Sequence, residues 1–219
     1  MTNENNSASI IGMITEPKRQ FQRIKNRPTI WKPMGIIMVM YIIGTFLSVS
    51  AIDVPEELKA LQIDDELSQS SSSDIIGNIV GGGLAPIISV AVVTVVYWVI
   101  AKIFQSHVTF KQMFSMNTYI LFIGAIGVVI NGLLTYFFGD GTSVEMTSLS
   151  YYLDVSPTMD VVISSVEVFS LWTIVLSAFG LHIVASLSKP LSWAIPIIFV
   201  AANIFLSIMI LQAAQNLFM

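Results

Sequence analysis

Cysteine is absent from this 219-residue sequence, which removes disulfides, thiolate metal ligands and cysteine nucleophiles from consideration. Histidine is nearly as scarce, with only His107 and His182, too little material for a histidine-based metal site. Charge is thin as well. Asp, Glu, Lys and Arg make up 11% of the chain, against about 25% in soluble domains. The HExxH and GxSxG patterns are missing, and the lysine of a phosphate-cradling loop does not follow Gly81, Gly82 and Gly83. No catalytic residue, cofactor or metal site is expected, so the chain does not read as an enzyme.

What the sequence does have is apolar length. Hydrophobic residues make up 54% of it and its mean hydropathy is +0.78. The expected fold is all-α: a polytopic integral membrane protein with five transmembrane helices in one bundle. A span needs about 20 apolar residues. Such stretches fall at residues 33–52, 79–104, 118–138, 161–185 and 191–211, within a membrane domain of residues 33–219. Residues 1–14 read as a disordered or interfacial N-terminus, without the basic start and apolar run of a signal peptide. Residues 15–32 read as a basic amphipathic segment. Thr15 suits an N-cap and Pro17 a first turn. Phe21 and Ile24 then lie among Lys18, Arg19, Arg23, Lys25 and Arg27, the spacing of a helix lying on an anionic membrane surface. The serine run Ser70–Ser73 reads as linker, Pro55–Leu67 and Val144–Leu153 as short helices, and Pro196 as an interruption of the last span.

Orientation follows the bases. Nine of the ten Lys and Arg lie in the N-terminal segment, after the second span and after the fourth; Lys59 is the exception. A cytoplasmic N-terminus and an exterior C-terminus in a bacterial cell membrane satisfy this at every other loop. Eleven of the fourteen acids fall in the two loops left outside. They either solubilise those loops or collect cations.

Three polar residues stand within apolar spans at similar depth: Asn131, Glu167 and Asn203. A lone carboxylate facing lipid costs a few kcal/mol, so a cluster of the three is expected, joined by Ser164 or Ser170. It reads either as a substrate, proton or ion site or as interhelical hydrogen bonding by a protonated Glu167. His182 falls near the opposite face and reads as an interfacial histidine.

Three stretches carry a family likeness. TEPKRQFQRIKNRPTIWKP (residues 15–33) is similar to the basic Pro-x-x-x-Phe-x-x-Ile segment that opens bacterial Yip-domain proteins. WVIAKIFQSHVTFKQMFSMNTYI (residues 98–120) resembles their second span and Phe-Lys-Gln loop, and residues 166–195 their acidic-x-Phe-x-x-Trp span and basic turn. The resemblance implies five spans and no catalytic centre. It further implies an accessory or assembly partner of an ABC-type exporter, protecting against a toxic peptide. The expected partners are the lipid bilayer, exporter subunits or other membrane proteins, and a second copy of the chain, with no nucleic acid. The Tyr-Pro and Gly-Pro motifs of eukaryotic members are missing, so their GTPase link does not carry over. The alternative is a small transporter or channel using the outer-leaflet cluster around Glu167.

Overall fold

The structure, a computed structural model, describes residues 7–50, 66–139 and 145–217. Most of the expected helix over Pro55–Leu67, and Lys59, lie outside the described residues. Eight α-helices form among those described: α1 (Gly12–Thr15), α2 (Pro17–Asn26), α3 (Trp31–Ser50), α4 (Glu66–Ile103), α5 (Phe110–Phe138), α6 (Pro157–Ser164), α7 (Val168–Ile183) and α8 (Lys189–Leu217). A 3₁₀ turn covers Leu149–Tyr152, within the expected Val144–Leu153 helix. Four helical stretches are long and apolar enough to cross a membrane: Trp31–Ser50, Leu84–Ile103, Phe110–Phe138 and Lys189–Asn216.

Several boundaries differ from those expected, each for a local reason. The stretch 161–185 is two helices rather than one, broken between Ser164 and Val168. Around the break, Ser164 Oγ donates to the Val161 carbonyl and Ser165 Oγ to that of Val162, which lets side chains replace helical bonds. The resulting α7 has 16 residues. α5 begins at Phe110 rather than Thr118, because Thr109 and Gln112 form a capping box. That box supplies two of the bonds its first turn lacks. Ser70–Ser73 lies inside α4, and α8 runs through Pro196 unbroken. Glu16 rather than Thr15 occupies the N-cap of α2.

Packing fixes the helix directions. Gly44 of α3 and Gly132 of α5 meet where a β-carbon on Gly132 would fall 2.5 Å from the Gly44 carbonyl oxygen. α5 and α7 are antiparallel: Gly180 lies against Met116 and Gly127 against Phe169, eleven residues apart on each helix.

The N-terminal segment closes one end. Met13, Phe21 and Ile24 are fully buried, with Phe21 reaching the Gly180 region. The apolar side of α2, expected to rest on lipid, is therefore taken up by the bundle. Tyr119 Oη donates to the Ala8 carbonyl (2.9 Å) and shares a 2.8 Å bond with Thr29 Oγ1. Lys25 Nζ donates to Ser186 Oγ (2.7 Å), and Ser106 Oγ to the Ala185 carbonyl (2.6 Å). These bonds gather residues 8–29, the 104–109 connection and the 184–188 turn at one basic end. Residues 145–148 and 167 lie at the other.

The Gly44–Gly132 crossing gives a direct test. Gly132→Leu is expected to destabilise the folded protein by about 2 kcal/mol or more through overpacking against backbone. Gly35, with open space where its β-carbon would go, should accept Gly35→Leu. Thermal unfolding of the two variants in detergent measures the contrast.

Candidate functional site

The break before α7 puts Glu167 in extended geometry (φ −127°, ψ 144°) at the N-cap of that helix. Its carboxylate accepts from the Ser170 backbone N–H (2.7 Å) and from Thr147 Oγ1 (3.1 Å). A carboxylate here satisfies an orphan donor and suits the positive end of the helix dipole. The side chain is 5% exposed, so it is held among protein groups and not in lipid. A single antiparallel bridge pairs Glu167 with Ser148, and Ser148 Oγ donates to the Ser164 carbonyl.

Asn131 joins through the same loop. Its Oδ1 accepts from the Thr147 backbone N–H at 3.0 Å, so Thr147 bridges Asn131 on α5 to Glu167. Asn203 stands apart from this group. It is exposed, and its Nδ2 donates to the Phe199 carbonyl one turn earlier on α8 (2.7 Å). A polar amide on a helix interior can return its donor to its own backbone, so depth alone did not bring Asn203 to the other two. Ser170 contributes its backbone rather than its hydroxyl. At the basic end, His182 Nδ1 bonds the Leu187 carbonyl at 2.8 Å, far along α7 from Glu167.

Asn131 and Glu167 line one side of a cavity of about 370 Å³. Tyr41 lines it from α3; Val93 and Tyr97 from α4; Asn117 and Gly127 from α5; Thr173 and Ser177 from α7; Phe199 from α8. Asn117 Nδ2 donates to the buried Thr94 Oγ1 (3.0 Å). Glu145 and Glu167 both line the cavity. Glu145 keeps an exposed side chain, yet nearby protein desolvates its carboxyl. Desolvation first, and then the charge of Glu167, push its pKa above the ordinary carboxylate value. Glu145, Thr147 and the tyrosines carry no periodic signal in the sequence, since they meet only through the fold.

The five basic residues of the N-terminal segment serve different contacts. Lys18 Nζ sits 5.0 Å from the Phe179 ring centroid, and Arg19 pairs with Glu16 at 3.2 Å. Lys25 holds Ser186, while Arg27 is exposed and Arg23 half-buried.

The Yip1 domain family model matches residues 11–211, a range that takes in nearly all of the four helices long and apolar enough to cross a membrane. The chain belongs to the Yip1 domain family. Within it, the chain is 28% identical over 194 residues to membrane protein YknW of Bacillus subtilis (strain 168), covering 87% of this chain and 84% of that protein. No solved structure matches it. The match includes all the helices that line the cavity, so the cleft is a feature of the Yip1 domain of this chain and not of an appended segment.

The raised pKa of Glu145 sets a pH dependence. The folded protein holds this proton more tightly than the unfolded chain does, so its contribution to stability is present at acid pH and lost as pH rises through the raised value. Glu145→Gln is expected to unfold at a higher temperature than the unmodified protein at pH 8, with the difference closing at pH 4. Thermal scans across that range check the sign.

Proposed function

We propose that this Yip1-family membrane protein works by binding rather than turnover, as an accessory or assembly partner of an ABC-type exporter that protects against a toxic peptide. The exporter link comes from the resemblance at residues 15–33, 98–120 and 166–195. The structural observation that supports it is α8, whose outer length packs on little of the bundle. Ile198, Phe205 and Met209, seven and four residues apart, are all more than half exposed on it. Such a face meets lipid or another apolar helix, and van der Waals packing between helices is the means by which membrane subunits associate. In this reading the protein lies in a bacterial cell membrane with its basic end cytoplasmic, by the distribution of Lys and Arg. Arg23 and Arg27 then sit at the level of anionic headgroups, a few residues from the contacts that anchor α2.

Co-purification of the tagged chain in mild detergent tests the proposal. Exporter ATPase and permease subunits are expected in the eluate, and are expected to be lost when Ile198, Phe205 and Met209 are all changed to alanine. Recovery of the chain without those subunits from cells that express them would sink it.

A second reading, a small transporter or channel, is favoured by the cavity beside Glu167. It requires solute or proton flux in liposomes that Glu167→Gln abolishes.

A further inference from the structure

The cavity is chemically asymmetric. One end carries two carboxylates, Glu145 and Glu167, and among the described residues no Lys, Arg or His lines the cavity. Glu167 is almost wholly enclosed, and Glu145 feels its charge. Beyond them the walls are mainly aromatic and aliphatic, with Tyr41, Tyr97, Phe169, Phe199 and Val93, and the polar groups there, Asn117, Thr173 and Ser177, are uncharged. The Tyr97 and Phe199 rings meet edge to face at 5.6 Å, which holds that part of the wall in shape. A space of about 370 Å³ falls in the range that takes small organic ligands.

From this arrangement we propose that the cleft binds a lipophilic amine. Its ammonium sits between Glu145 and Glu167, and its apolar body lies along the aromatic wall. The charge argument is direct. Two carboxylates sharing a partly desolvated space repel, and a cation between them offsets both the repulsion and the lost hydration. Ring faces nearby attract the same cation. An anionic amphiphile meets negative charge at the acidic end, and a neutral one gains no charge attraction there. A divalent ion asks for six or more oxygen ligands, whereas two carboxylates and an apolar wall suit a small organic cation with a hydrocarbon body. The Glu167 carboxylate already takes two hydrogen bonds, which fix its position before a ligand arrives. Glu145 faces the same space from the loop, with its side chain exposed at the rim. This site stands independently of any exporter partner, since it is built within one chain.

The test uses the full chain in zwitterionic-lipid nanodiscs and three probes of one shape: 4-phenylbutylamine, 4-phenylbutanol and 4-phenylbutyrate. Equilibrium dialysis against protein-free nanodiscs subtracts partition into lipid. The amine is expected to bind saturably and at least tenfold tighter than the alcohol or the acid. Glu145→Gln should weaken the amine about tenfold and leave the alcohol unchanged, and Glu145→Lys should abolish amine binding. Val93→Trp, which fills the cavity away from the carboxylates, should remove binding of the amine while the thermal midpoint stays close to that of the unmodified protein. Should Val93→Trp fail to fold, the two Glu145 variants carry the test alone, because that side chain is exposed at the rim. Equal binding of amine and alcohol overturns the proposal, as does an amine signal no greater than in protein-free nanodiscs. Amine binding that survives both Glu145 substitutions also overturns it.

Discussion

In a hydrocarbon environment a backbone N–H without a partner costs several kcal/mol, so a helix that starts within an apolar stretch must bring its own acceptors. Glu167 is that acceptor for α7. One of its oxygens takes the Ser170 N–H and the other the Thr147 hydroxyl. The remaining organisation of that end depends on this carboxylate. Through Thr147 the 145–148 loop is drawn down to Asn131 on α5, and through the Ser148 bridge the loop is laid against the break itself. Glu145 reaches the cavity only because its loop is held in this way.

The two ends of the molecule are built by different means. The basic end is closed by many bonds between distant segments, including Lys25 to Ser186 and Gln112 Nε2 to the Lys25 carbonyl (2.7 Å). Phe21 and Ile24 seal beneath them. The Glu167 end relies on few side chains, and the cavity lies beside them. Close glycine contacts between α5 and both α3 and α7 hold these helices together at the same end, at Gly132 against Gly44 and at Gly127 against Phe169.

Much of the fold was legible in the sequence because hydropathy alone marks an apolar span, whatever its neighbours. The stretches at 33–52, 79–104, 118–138 and 191–211 each overlap a long apolar helix. Hydropathy could not show that 161–185 is broken, since Val166 and Val168 flank Glu167 and the run stays apolar through the break. Serine hydroxyls and a bridge to Ser148 decide it, and both are contacts, not composition. The polar site was legible to the extent that a lone carboxylate in such a run needs partners. Which partners was another matter. Asn203 matched in depth but faces away, whereas Thr147 and Glu145 lie in a stretch whose apolar spacing suggests a helix, and which is irregular up to the 3₁₀ turn at Leu149. The N-terminal segment shows the same limit: a basic helix with an apolar stripe has one pattern whether the stripe meets lipid or protein.

The shortness of α7 has a consequence for the membrane around it. Its 16 residues rise about 24 Å, less than the roughly 30 Å of a typical hydrocarbon core, while the 29 residues of α5 beside it rise about 43 Å. The belt of lipid that fits one flank of this bundle does not fit the other. Val168, Leu171 and Trp172, exposed on the first turns of α7, invite acyl chains up to a point where the helix stops. Hydrophobic mismatch there is relieved by thinning the bilayer locally. A bilayer thinned in this way would bring headgroups and water closer to Glu167, which caps α7 at its first turn.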